Sequence, residues 1–99
     1  MKINIQSVHF TADRKLLDFI DAKLSKLSSL FDSIIEADIT LRLDNASNNE
    51  NKIAEIRLHV SGNDLFAKRQ CKTFEEATDQ CSEALKAQLV KHKEKIKQI

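Results

Sequence analysis

Few residues in this 99-residue chain are of the types that carry covalent or metal chemistry, and their spacing does not suit it. Zinc sites draw ligands from close pairs such as C-x2-4-C or H-x3-5-H. Here Cys71 and Cys81 are far apart and His9, His59 and His92 stand singly, so no metal site is expected. A nucleophilic cysteine needs a neighbouring group that lowers its pKa, and nothing local suggests an activated thiolate at either position. Cys81 falls instead on an apolar helical stripe, where cysteine serves as a small core residue. Glu75, Glu76, Asp79 and Glu83 crowd the first turns of a helix. Anions are favoured there by the helix macrodipole, and no apolar pocket is implied that would turn them into a general acid and base. The single glycine excludes a Gly-rich phosphate loop and a dinucleotide fingerprint, both of which need several. The sequence thus reads as a non-enzyme, with no cofactor and no small-molecule substrate.

The chemistry that remains is charge. Lys and Arg number 16 and Asp and Glu 15, a net of +1 that speaks against nucleic acid if read as a total. The distribution says otherwise. Residues 86–99 hold Lys86, Lys91, Lys93, Lys95 and Lys97 against Glu94 alone, a local net of +4 that leaves −3 on residues 1–85. Cations near a helix C-terminus suit the macrodipole, but that effect fades within the last turn. These lysines extend back about three turns, and close spacing of like charges costs self-repulsion. Lys68, Arg69 and Lys72 form a second group without an acid, and Lys15, Lys23 and Lys26 line the polar side of an earlier helix. A phosphate backbone is the ligand such a surface suits; a merely solvated surface is the bland alternative.

These side chains are positioned by elements legible from periodicity. Ile3 and Ile5 alternate with polar neighbours in a strand over 2–9. Thr11 is the expected N-cap of a helix over 12–30, whose Leu16, Leu17, Ile20, Leu24, Leu27 and Phe31 recur at helical spacing. Ile35, Ala37, Ile39, Leu41 and Leu43 alternate with polar residues in a strand with one buried face. A polar loop, 44–51, leads to a third strand around Ala54, Ile56, Leu58 and Val60. Gly62-Asn63 is the expected two-residue hairpin turn into a fourth strand, 64–71. Thr73-Phe74-Glu75-Glu76 makes a capping box opening a helix to about 97, with Ala77, Cys81, Leu85, Leu89, His92 and Ile96 along one stripe. The order β-α-β-β-β-α, with two amphipathic helices and a one-faced sheet, predicts an α+β two-layer sandwich, both helices on one face of a four-stranded sheet.

Length and the lack of proline or a Gly/Ser-rich linker predict one domain over 1–99. The N-terminus has no signal-peptide core and no run approaches a membrane span, so a cytoplasmic protein with reduced cysteines and no membrane partner is expected. Of five phenylalanines only Phe66 is expected on the open sheet face. A base-stacking platform needs two or three aromatics there, so recognition of shape and phosphates is favoured over base sequence.

Ala22-Lys23-Leu24-Ser25-Lys26-Leu27 followed by Phe31-Asp32-Ser33-Ile34 resembles the first-helix AK-x-x-KL…FD-x-I pattern of the ribosome hibernation-promoting factor family, which includes the ribosome-associated inhibitor protein Y. Leu58-His59-Val60-Ser61-Gly62 is similar to its third strand and hairpin, and Ala77-Thr78-Asp79 with the run from Gln88 to Lys97 to its second helix, including the KHK ending. The resemblance covers essentially the whole chain. It implies a fold similar to the double-stranded-RNA-binding domain and binding to the 30S or 70S ribosome through 16S rRNA, in the channel of mRNA and tRNA. Translation would then be shut down in stationary phase or stress. On matched positions it implies RNA contacts from Lys23, Lys26, Lys91, His92, Lys93, Lys95 and Lys97; the charge pattern adds Lys68, Arg69 and Lys86. The chain looks like a short form and is expected to be monomeric when free. It departs from the family around Thr73, Phe74 and Glu75, where the start of the second helix is unusually acidic. That argues against an RNA contact from this helix end. True double-stranded-RNA-binding domains place their lysines at that end, so the pattern favours the ribosome factor. A general duplex-RNA binder, and a protein-interaction module using Phe66 and His59 on the open sheet face, remain alternatives.

Overall fold

A computed structural model of the chain describes residues 1–45 and 49–97, leaving out the side chains of 95–97. The elements run β1 (Lys2–Ser7), α1 (Arg14–Leu30), β2 (Ile34–Leu43), β3 (Lys52–Val60), β4 (Asn63–Cys71) and α2 (Phe74–Lys97). The sheet order is β1-β2-β3-β4, with β1 parallel to β2 and the other pairs antiparallel. Helix α1 makes the crossover that a parallel pair requires. Both helices cover one sheet face, giving the expected α+β sandwich.

The core lies between the layers. Ile20 and Leu24 of α1, Ile39 and Leu41 of β2, Ile56 and Leu58 of β3, and Leu85 and Leu89 of α2 are almost wholly buried. Each such side chain contributes roughly 1.5–3 kcal/mol by leaving water, which is what holds two marginal helices in place. Cys81 sits in this core and donates its thiol to the Ala54 carbonyl at 3.4 Å. Burial pushes its pKa up to about 11, and burial is also the first cause raising Cys71, so both are thiols at neutral pH. Phe10, in the connection before α1, stacks on Phe74 with centroids 4.9 Å apart and rings within 5° of parallel. That contact pins the unusual start of α2 to the body, while Thr73 Oγ1 accepts from the Glu76 amide at 3.0 Å.

Four local expectations need correction. Asp13, not Thr11, caps α1, its carboxylate accepting from the Leu16 amide at 2.9 Å. A carboxylate satisfies an orphan amide as well as a hydroxyl does, and periodicity alone does not choose between nearby candidates. Strand β1 stops at Ser7, because His9 adopts φ 65 and turns the chain away. The hairpin turn is Ser61-Gly62, with Val60 paired to Asn63; the left-handed φ of 83 falls on the second turn residue, where glycine bears it without strain. Ile35 is 62% exposed because a register irregularity between Ile34 and Glu36 turns Ile34 inward in its stead, and Leu43 emerges at the strand end. Such a bulge puts two residues opposite one, so alternation shifts by a position. Within the polar loop, 46–48 lie outside the described residues, as does the side chain of Ile96 on the α2 stripe.

Candidate nucleic-acid interface

The helices pack in the same direction. Lys23 Nζ donates to Asp79 Oδ1 across them at 2.6 Å, and a turn further along each, Lys26 and Leu27 stand near Ser82, Glu83 and Lys86. α1 ends at Leu30, whereas α2 continues to Lys97. At 1.5 Å per residue, the last eight positions of α2 carry it about 12 Å beyond the buried Leu89. The lysine-rich half of the helix thus overhangs the body.

The expected contact residues divide by location. Lys26, Lys86, Lys91 and Lys93 are exposed and, among the described residues, in no ion pair with a carboxylate. Lys86 and Lys93, seven apart on a helix, share a stripe. Lys23 is half-buried and engaged by Asp79, so it ties the helices together as well as adding charge. His92 is half-buried, with Nε2 buried and unpartnered among the described residues. Arg69 is exposed and donates to the Lys68 carbonyl at 2.8 Å. Lys68 pairs across the ladder with Glu55 on the face away from the helices, so the fold does not bring it to the helical ridge. The side chains of Lys95 and Lys97 lie outside the described residues. Thr78 and Ser82 are buried hydroxyls that periodicity missed; the stripe 77, 81, 85, 89 counts one position per turn, and these flank it.

The open face of the sheet has a different electrostatic character. Asn4 Nδ2 donates to Glu36 at 2.6 Å and to Asp38 at 2.8 Å, and Arg42 pairs with Glu55 at 2.6 Å. The Arg57 guanidinium lies 5.2 Å from the centroid of Phe66. His59 bonds Asp38 through Nε2 at 2.7 Å and Asp64 through Nδ1 at 3.0 Å. Carboxylates only accept, so both bonds together require the imidazolium. The bonds to Asp38 and then Asp64 raise the His59 pKa, and those from Asn4 and then His59 lower that of Asp38. This face neutralises itself, leaving the helical side to supply free positive charge.

The network has a pH signature. A raised His59 pKa gives stability that is full below its ordinary 6.5 and lost as pH rises through the folded value. A lowered Asp38 pKa gives stability present above its ordinary 3.8 and lost as pH falls through the folded value. Thermal midpoints of the native protein and His59→Gln, compared from pH 4 to 9, should differ most on the acid side of neutrality and converge as pH rises. A difference that grew with pH would refute the assignment.

Known proteins identify the family and share the fold. Residues 3–97 match the family model described as sigma 54 modulation protein / S30EA ribosomal protein. The chain belongs to this family. Among curated S30EA relatives, the ribosome hibernation promoting factor of Klebsiella oxytoca is 34% identical and that of Escherichia coli K12 is 30% identical, each alignment covering 99% of both chains. The fold is shared with a ribosomal subunit interface protein from Coxiella burnetii, at TM-score 0.80 and 20% identity over 94% of this chain and 98% of that one. It is shared also with the N-terminal domain of Thermus thermophilus protein Y, at TM-score 0.77 and 20% identity over 90% and 96%. Within the S30EA frame, this member combines a self-paired sheet face with Lys26, Lys86, Lys91 and Lys93 on its helices, exposed and in no ion pair with a carboxylate among the described residues.

Proposed function

We propose that this protein is a non-catalytic inhibitor of translation that binds the small ribosomal subunit through 16S rRNA and keeps ribosomes inactive in stationary phase or stress. The reading is supported by full-length membership of a family whose curated relatives are named ribosome hibernation promoting factors. The mechanism is steric. A rigid domain seated in the mRNA and tRNA channel excludes both, with no bond made or broken. Lys26, Lys86, Lys91 and Lys93 neutralise rRNA phosphates, supported by Lys23, Arg69, His92 and the terminal Lys95 and Lys97. Lys68 contributes only where rRNA reaches round to the other sheet face. The free protein is a cytoplasmic monomer, a single domain whose ligand is the ribosome.

Backbone-phosphate binding releases counterions, so log affinity falls with log salt by about 0.7–0.9 per phosphate neutralised. For four to six such contacts the slope is about −3 to −5. Co-sedimentation of the purified protein with 30S subunits across a salt series measures it. Protein that stays at the top of the gradient at low salt would overturn the reading. Competition between 30S subunits and naked duplex RNA tests the general duplex-RNA alternative, against which the acidic start of α2 already argues.

A further inference from the structure

The two edges of the sheet are finished differently. At β4 the outward-facing carbonyls are taken up by side chains: Gln88 Nε2 donates to the Phe66 carbonyl at 2.9 Å, and Arg69 Nη1 to that of Lys68 at 2.8 Å. Blunting of this kind denies a further strand its acceptors. The β1 edge has no such cover. The Val8 amide donates to the Leu41 carbonyl at 2.9 Å, so the even-numbered residues of β1 bond to β2. Alternation along a parallel ladder then turns the N–H and C=O of Ile3 and Ile5 outward. Among the described residues no side chain meets them. Lys2 is the only charged residue of this strand, so charge hardly guards the edge either.

Beside this edge, β1 and α1 border an open groove of about 500 Å3, lined by Ile3, Ile5, Arg14, Leu17, Asp18 and Asp21. Its three apolar side chains are half-buried. Arg14 lies 3.5 Å from Asp18, whereas Asp21 is exposed and in no ion pair among the described residues. The groove therefore carries a surplus of negative charge. At 3.6 residues per turn its α1 residues lie roughly half a turn round the helix from Lys23 and Lys26. Groove and lysines occupy opposite flanks of α1.

We propose that the β1 edge and this groove receive an extended, basic segment of a partner protein, added to the sheet as a fifth strand. Main-chain bonds to Ile3 and Ile5 give it affinity, and its alternate side chains give specificity. Apolar ones pack on Ile3, Ile5 and Leu17, and a lysine or arginine on the same face pairs with Asp21. The helical lysines stay uncovered, so this contact is independent of the RNA reading.

The test titrates the full chain with a blocked peptide in which two valines alternate with threonines between lysine ends, followed by amide NMR at constant ionic strength. Saturating shifts are expected at Ile3, Ile5, Leu17 and Asp21, with slowed hydrogen exchange at the Ile3 and Ile5 amides. The same peptide with glutamate ends should bind at least about threefold more weakly. Ile5→Pro removes an outward N–H without touching the ladder to β2 and should abolish binding. That change also trims a half-buried side chain, so Asp21→Lys is the second variant. An exposed substitution of this kind keeps the fold within about 0.5 kcal/mol, and it should reverse the preference in favour of glutamate ends. Non-saturating shifts, or equal affinity for the two peptides, would overturn the proposal. Protection of Ile3 and Ile5 without peptide, rising with protein concentration as a dimer forms in sedimentation, would overturn the partner and assign the edge to a second copy.

Discussion

Replacing Lys26, Lys86, Lys91 and Lys93 together by glutamine is expected to weaken binding to the small subunit by at least about a hundredfold at moderate salt and to flatten the salt slope by about 3. The four are exposed and make no ion pair with a carboxylate among the described residues. Their removal therefore costs the fold little, since exposed substitutions of this kind usually stay within about 0.5 kcal/mol each. Relief of mutual repulsion along α2 works in the same direction. Unchanged sedimentation with 30S subunits would place the contact elsewhere. Lys23→Gln is a different experiment, because its ammonium also serves Asp79 at 2.6 Å. Both side chains are half-buried and still reach water, so that pair is worth under about 1 kcal/mol. Its loss leaves the Asp79 carboxylate without that partner beside the helical lysines, and the affinity lost should exceed that of one lysine removed from an open surface.

The second large effect is on stability, one residue away from a lysine of the proposed interface. Leu85 is wholly buried on α2, whereas its neighbour Lys86 is exposed. Leu85→Ala removes buried methyl groups and leaves a cavity in a layer with no free residue to fill it. Such changes cost about 2–5 kcal/mol, out of a total that for domains is about 5–15 kcal/mol. In a chain of this size each kcal/mol moves the thermal midpoint by roughly 4–8 °C. A fall of at least about 8 °C is therefore expected, against a shift within a few degrees for Lys86→Ala. Calorimetry on the two variants decides it. Equal shifts would mean that the core does not run through this helix position.

The element order and the sheet's buried face were readable because the relevant physics is local. Alternation through Ala37, Ile39 and Leu41 and the helical spacing of Leu16, Ile20, Leu24 and Leu27 record which side of each element leaves water, and those residues are buried. The errors came where two local solutions have nearly equal energy. Thr11 and Asp13 are both competent caps, and a bulge at Ile35 costs little at the start of a strand. Phe74 looked like a departure in an acidic stretch. Only its stack with Phe10, 64 positions away in sequence, shows what it does.

By itself the sequence determined the fold class, the family resemblance and the polarity of charge, a −3 body with a +4 end. All three are sums over neighbours in the chain. The tertiary structure alone decided which charges are free. It bound Lys23 to Asp79, 56 positions apart, put Lys68 on the opposite sheet face, let His59 and its two aspartates satisfy each other, and left Lys26 and Lys86 in no ion pair with a carboxylate among the described residues. Coulomb energy depends on distance in space and on access to water, and neither can be counted along a chain. Sixteen cations are visible in the sequence; which of them stay clear of a carboxylate is decided only when two helices pack side by side over one sheet.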